Sequence, residues 1–255
     1  MNAAQRQKEI ANYVLERGDA RIDELVEVFK VSRMTIHRHA EELVRQGVVR
    51  KLHGSISAQP SGVYESLFSF RKARATEIKK KLAIAALEEI ESGEVILLDD
   101  STTVNAIGPE LGKKAPLKVV TNSLGLASSL ALANEISLLC LGGDYHPTYQ
   151  AFIGHICETA LAGLKVNTFI CSTSAIENGL ALIQDPQMVR TKQAMMRAAR
   201  RNILLADTGK FGKVALHVFA PLTKFNLVIT DTNLPDDTRQ MLINDGVDLK
   251  QVMVE

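Results

Sequence analysis

At 255 residues, with 46% hydrophobic and 23% charged side chains, the chain has room for one large domain or two ordinary ones. The formal net charge is only +1, but it is unevenly spread: residues 1–81 hold 16 Lys+Arg against 10 Asp+Glu, and residues 82–255 hold 14 against 19. A basic front and an acidic back suit only the front to a polyanion. Cys140, Cys157 and Cys171 are odd in number and without a CxxC pair, which argues for buried thiols over disulfides or a metal site. No apolar core follows Arg6 and Lys8 at the start, so no signal peptide is expected. The longest uncharged stretch, Val119 to Asn134, is 16 residues and interrupted by Thr, Asn, Gly and Ser, too short and polar to span a bilayer. A cytoplasmic protein without a membrane partner is expected.

In chain order, Ile10, Tyr13 and Val14 share a face of a first helix that Gly18-Asp19 ends. Ile22, Leu25, Val26 and Phe29 define a second, short helix. After a three-residue gap a third runs from Ser32 to about Gln46, with Ser32 as its cap and Gly47 as its stop. Val48 to Ser57 reads as two short strands around a turn, which completes a winged helix-turn-helix over residues 1–57.

Ile36, Ala40, Leu43 and Val44 are expected to dock the third helix on the first two. Met34, Arg38, Glu41 and Arg45 then face outward, with Thr35, His37 and His39 on the flanks. Such a helix fits the major groove, where Arg38 is the candidate for a bidentate contact to guanine. Thr35, Arg50 and Lys51 suit phosphates, which position without specifying sequence. With Ser32, Met34, His37, His39, Arg45 and His53 they form the candidate DNA-binding set. His37 and His39 are two apart, on different sides of a helix, so they cannot share a metal. His146, His155 and Cys157 form a looser set, read as satisfied loop and core residues.

Residues 58–75, with Pro60, Ser61, Gly62 and a basic run, are read as a linker to a second domain over residues 76–255. There a helix (Thr76–Ile90) precedes the buried strand Val95–Leu98. Apolar runs follow at Leu117–Val120, Ile136–Leu141, Val166–Cys171, Ile203–Leu205, Leu227–Ile229 and Val252–Val254. Strands without alternation, spaced by helices, predict a mainly parallel α/β sheet covered on both faces. Ligands of such sheets bind at the strands' C-terminal ends. Those ends carry Asp99, Ser101, Thr102 and Thr103, then Thr121 and Asn122, then Gly142 and Gly143, and finally Asp207 and Lys210. Hydroxylated residues at strand-to-helix turns suit an anion, especially phosphate, to which Lys210 adds a point charge. The alternative is plain helix capping by Ser101 or Thr102.

The motif Val31-Ser32-x-x-Thr35-Ile36-x-Arg38, followed by Gly47-Val48-Val49-Arg50-x-x-His53-Gly54, resembles the DNA-binding domain of DeoR-type bacterial transcriptional repressors. The resemblance continues through Leu98-Asp99-x-x-Thr102-Thr103, Val120-Thr121-Asn122, Gly142-Gly143 and Ala206-Asp207-x-x-Lys210-Phe211-Gly212, so it spans essentially the whole chain. It implies a sensor domain similar to ribose-5-phosphate isomerase that binds a sugar phosphate or related metabolite and releases the operator. The chain departs from the pattern at His37, His39 and Ala40, at Ser55 and Ser101 where glycines are usual, and at Met188, where an acidic residue is expected one turn before Lys192.

The reading is a ligand-controlled DNA-binding repressor of a carbohydrate-utilisation operon, a dimer or tetramer on double-stranded operator DNA, without cofactor, metal or catalytic residues. The rival is a sugar-phosphate isomerase or deaminase with an accessory DNA-binding domain; the strand-end loops offer it no evident glutamate base. An activator instead of a repressor fits the same residues.

Overall fold

The computed structural model describes residues 3–45, 49–58, 71 and 75–254. The chain divides into two compact units, residues 1–65 and 66–255. Most of the predicted linker, with Gln46, Gly47 and Val48, lies outside the described residues.

The first unit runs α1 (Ala3–Arg17), β1 (Asp19–Arg21), α2 (Ile22–Phe29), α3 (Arg33–Arg45), β2 (Val49–Leu52) and β3 (Ser55–Ala58). The apolar positions that predicted the helices form its core: Ile10, Val14, Ile22, Leu25, Ile36, Leu43, Val49 and Ile56 are buried. The predicted wing is present, but its sheet has a third strand. β1, between two helices and read from sequence as a helix end, pairs antiparallel with β3 in the order β1-β3-β2. α2 stops where Lys30 turns left-handed (φ 51°), and Ser32 opens α3 by accepting from the Thr35 N–H at 3.2 Å.

The buried stripe of α3 differs from the expected one. Ile36, His39, Ala40 and Leu43 are buried, whereas Val44 is 38% exposed. At about 100° per residue, His39 lies closer than Val44 to the axis of the Ile36–Leu43 stripe. His39, expected on a DNA-facing flank, is therefore a core residue.

The second unit begins with α4 (Thr76–Glu88), β4 (Val95–Leu98), α5 (Thr102–Asn105), β5 (Leu117–Thr121), α6 (Leu124–Leu130) and β6 (Ile136–Cys140). A hairpin of β7 (Asp144–His146) and β8 (Ala151–Ile153) leads to α7 (His155–Ala162) and β9 (Val166–Ser172). Next come β10 (Ala175–Glu177), β11 (Leu180–Ile183), α8 (Pro186–Ala198), β12 (Ala199–Leu205) and β13 (His217–Pro221). The described chain ends with β14 (Leu227–Asp231), α9 (Asp236–Asn244) and β15 (Leu249–Val252).

Seven strands form one parallel sheet in the order β15-β14-β12-β9-β4-β5-β6. Both faces are covered: Leu97, Phe169 and Leu204 enter one core, and Ile96, Leu98, Ile170, Ile203 and Leu205 the other. That explains the unalternated apolar runs. The last strand is Leu249–Val252 instead of the expected Val252–Val254, and the antiparallel sheet β10-β11-β13 was not anticipated. Strand order reverses between β4 and β9, the switch point at which such sheets bind ligands.

Burial, followed by the Arg38 and Arg6 charges, holds the His39 pKa below its ordinary 6.5. The unfolded chain therefore takes up this proton first, and stability falls as pH drops through the ordinary histidine range. In His39→Leu, α1 and α3 amides should lose less hydrogen-exchange protection than wild type between about pH 7.5 and 5.5. Equal losses would show that His39 titrates alike in both states.

Candidate functional site

In the first unit, α3 presents Met34 (81% exposed), Arg38, Glu41 and Arg45 at helical spacing on its outer face. The Thr35 hydroxyl is engaged with Ser32 Oγ at 2.9 Å, so Ser32 and Thr35 form the helix cap. Arg33 is exposed and ion-paired to Asp23 at 3.2 Å, and Arg45 to Glu42 at 2.8 Å. On the wing, Lys51 reaches Glu41 of α3 at 3.4 Å, while Arg50 and His53 are exposed. Exposed pairs of this kind are worth about 0–1 kcal/mol, so these cations can exchange a carboxylate for a phosphate at little cost. His37 is half-buried, and the buried His39 is the one candidate of this set withdrawn from the surface.

In the second unit, β4 and β9 end side by side at the switch point. Asp99, immediately after β4, accepts from Ser101 N at Oδ1 (2.9 Å). Its Oδ2 accepts from Ser172 N (2.9 Å) and Lys192 Nζ (2.6 Å). Lys192 also donates to the Ser172 carbonyl at 2.9 Å and lies 3.8 Å from Asp100 Oδ1. Asp99, Asp100 and Lys192 are all buried. Burial disfavours the ammonium, but Asp99 and Asp100 outweigh it, and Lys192 keeps its proton above the ordinary lysine range. Burial pushes the Asp100 carboxyl up; Lys192 counteracts this only in part, and the Asp99 charge adds to it.

Lys192 sits on α8, which Asp185 caps by accepting from Gln187 N (2.7 Å) and Met188 N (3.3 Å). Met188, Thr191, Lys192 and Met195 form the buried face of this helix. The acidic partner expected one turn earlier is supplied by β4, 93 positions away in sequence, and Met188 packs in the core.

Lys210, in the 3-10 turn (Thr208–Lys210) that follows β12, donates to Ser172 Oγ at 2.6 Å and lies 3.8 Å from Asp207. Burial holds its pKa below the ordinary lysine value, Asp207 opposes this, and Arg71 and Lys192 reinforce it. Ser172 therefore links the two lysines: its carbonyl takes Lys192, its hydroxyl takes Lys210 and donates to the Leu205 carbonyl (2.5 Å). Arg71 approaches from the linker side, 4.0 Å from Asp100 Oδ2 and with its guanidinium 5.3 Å from the Tyr149 ring centroid.

The remaining candidates are divided. Thr102 and Thr103 are buried at the start of α5, and Ser101 caps it by accepting from Val104 N at 3.2 Å. Ser101 has φ −65°, a conformation that needs no glycine. Thr121 donates to the Leu98 carbonyl (2.8 Å) and accepts from Ser123 N (3.0 Å). Asn122 is fully buried beside them. Gly142 is exposed; Gly143 (φ +146°) leaves only 2.4 Å between a Cβ and the Ile153 carbonyl, so it serves backbone packing on β8. The residues that sequence reasoning missed are Asp100, Ser172, Lys192 and Arg71. Two of them left a signal: Asp100 lies within the strand-end loop that runs from Asp99 to Thr103, and Lys192 occupies a core position in the helical periodicity of α8.

A surface cleft lined by Gly93, Pro116, Leu117, Lys118 and residues 135–137 lies at the opposite, N-terminal ends of β4, β5 and β6. Its charged residues, Lys118 and Glu135, are exposed, so it lacks the desolvated groups of the switch point. Among the described residues no cluster of three or more His, Cys, Asp or Glu is placed to hold a metal ion. His146 pairs with Asp185 at 3.4 Å, Cys157 is buried and His155 exposed. No helix among the described residues is long and apolar enough to cross a membrane.

Lys192→Met leaves Asp99 and Asp100 buried without the lysine and should cost about 3–5 kcal/mol of second-unit stability in denaturant unfolding. Adding Asp99→Asn should recover part of that loss. A single variant within about 0.5 kcal/mol of wild type would show that the pair contributes little.

Two family models match the chain, the DeoR-like helix-turn-helix domain over residues 6–61 and the DeoR C terminal sensor domain over residues 74–232. The chain is 30% identical over 251 residues to the glycerol-3-phosphate regulon repressor of Escherichia coli K12, spanning 98% of this chain and 99% of that protein. It is 31% identical over 236 residues to the L-fucose operon activator of Haemophilus influenzae, spanning 92% and 94%. Among solved structures, ribose 5-phosphate isomerase A from Methanocaldococcus jannaschii shares 17% identity over 53% of this chain and 54% of that one, with a TM-score of 0.39. With a capped outward-facing helix and wing in one unit, a parallel sheet with a charged switch point in the other, and both family models matched in order, the chain belongs to the DeoR family of DNA-binding transcriptional regulators.

Proposed function

We propose that the chain represses a carbohydrate-utilisation operon and is released from its operator by a sugar phosphate or related metabolite bound at the β4–β9 switch point. The observation that carries this reading is the buried Asp99–Lys192–Ser172–Lys210 network at the C-terminal ends of the parallel strands. In this division of labour residues 1–57 read DNA, 58–75 connect, and 76–255 sense the effector inside the cell. A homo-oligomer, dimer or tetramer, brings two copies of α3 to paired half-sites about one helical turn apart. The reading is regulatory because Asp99 has three N–H groups on its two oxygens and is not poised as the mobile base that aldose–ketose isomerisation requires. The ligand acts by binding the DNA-free state more tightly than the DNA-bound one.

On the DNA side, Arg38 takes the base-reading role, Arg50, Lys51 and Thr35 the phosphate role, and Ser32, Met34, His37, Arg45 and His53 the surrounding contacts. Arg38→Ala should lose about 1–3 kcal/mol of discrimination between operator and nonspecific DNA. Lys51→Ala should weaken binding to all DNA alike and lower the salt slope by about 1. Equal loss of specific and nonspecific binding in Arg38→Ala, measured by fluorescence anisotropy across salt concentrations, would contradict the assignment.

On the sensor side, Lys210 takes the anion, and Asp99, Ser101, Thr102, Thr103, Thr121, Asn122, Gly142, Gly143 and Asp207 line the strand ends along which the rest of the effector lies. Lys210→Ala should keep operator affinity but need at least about tenfold more effector for release. Release at wild-type concentrations would remove Lys210 from the effector contacts.

A further inference from the structure

Two neighbouring buried carboxylates are used in opposite ways. Asp99 is saturated, with Ser101 N on Oδ1 and Ser172 N and Lys192 Nζ on Oδ2. Asp100 is 1% exposed, yet its Oδ1 accepts no hydrogen bond among the described residues and stands 3.8 Å from Lys192 Nζ. On the adjacent strand end Asn122 is 0% exposed. Its Nδ2 donates to the Phe152 carbonyl at 3.1 Å, and its Oδ1 is likewise unpartnered among the described residues. Leu98 pairs with Thr121 in the sheet, so Asp100 and Asn122 follow neighbouring rungs. A buried acceptor left without a donor is destabilising, and a ligand bringing donors would relieve it.

The complementary group is a hydroxyl, because the two open groups, Asp100 Oδ1 and Asn122 Oδ1, are acceptors and a phosphate dianion offers acceptors only, even with Lys192 and Arg71 within 4.0 Å of Asp100. The helices that follow these strands do not favour a phosphate either. α5 has four residues and α6 seven, and each spends an early N–H on its own serine cap, Val104 N on Ser101 and Leu126 N on Ser123. Lys210 follows β12, two strands from β4 in the sheet order, and its ammonium sits against Ser172 Oγ (2.6 Å) at the end of β9.

We propose that Asp100 and Asn122 form the hydroxyl-reading subsite of the sensor, so that a sugar or polyol lies along the strand ends with its hydroxylated end on β4 and β5 and its phosphate toward Lys210. The proposal rests on the effector reading above and adds the orientation of the ligand and the residues that select it. Asp100 then does two things: it accepts from hydroxyls and it offers no donor to a phosphate that enters in the opposite sense.

The test uses the full-length protein and a thermal-shift and calorimetric panel of ribose 5-phosphate, glucose 6-phosphate, fructose 6-phosphate and glycerol 3-phosphate. For whichever probe binds, Asp100→Ala should weaken affinity by about tenfold or more, and Asp100→Asn, which keeps the acceptor, should weaken it less. The Asp100→Ala and Lys210→Ala factors should multiply in the double variant, as for contacts at opposite ends of one ligand. Wild-type or tighter affinity in Asp100→Ala overturns the proposal, the tighter case showing that the carboxylate faces the phosphate. If no probe stabilises the wild type, it is the phosphorylated-effector reading that falls.

Discussion

The Lys192–Asp99 ion pair is the constraint around which the sensor unit is arranged. Two buried carboxylates in sequence would repel each other and resist desolvation, and one lysine inserted from α8 makes their burial possible. The same contact joins three elements distant in the chain: β4 through Asp99, β9 through Ser172 and α8 through Lys192. Asp99 is consumed in this role, with three N–H groups on its two oxygens. Ser172 passes the constraint to Lys210, and Asp100 is left with an acceptor that the fold does not use.

The DNA-binding unit follows a different logic. Its core is small, and its polar outer face is held by local means: the Ser32 cap, the left-handed Lys30 that ends α2, and exposed ion pairs that a phosphate can replace. Residues 1–65 carry 10 Lys+Arg against 9 Asp+Glu, and the basic excess of residues 1–81 comes from residues 71–81, so what suits the first unit to a polyanion is the exposed cations of α3 and the wing and not its net charge. Regulation by an effector then requires that it bind two states of the chain, which hold DNA unequally, with different affinity.

Much of this was legible in the sequence because the strongest signals are local. Val95–Leu98 and its counterparts are unalternated because both sheet faces are covered, and Ser32 is followed at once by helical periodicity. What escaped was either too short or too remote. β1, β7, β8 and β10 have three residues each, and nothing in three residues distinguishes a strand from a turn. His39 was misplaced by a fraction of a helical turn, since charge and polarity suggested a surface position where the geometry of the stripe required burial. Lys192 and Asp99 are 93 residues apart, and only the crossover that places β9 beside β4 makes them partners. The hydroxyls of the strand-end loops are committed largely to capping and sheet contacts, and the acceptors left without a partner there among the described residues are Asp100 Oδ1 and Asn122 Oδ1.

Hydrogen exchange of the full-length protein, with and without a saturating sugar phosphate that stabilises it, tests the placement of the effector at this ion pair most directly. The account predicts new protection in residues 98–104, 121–124 and 172–174, the strand ends that surround Asp99 and Lys192. Protection confined to residues 93, 116–118 and 135–137, at the opposite ends of the strands, would contradict it.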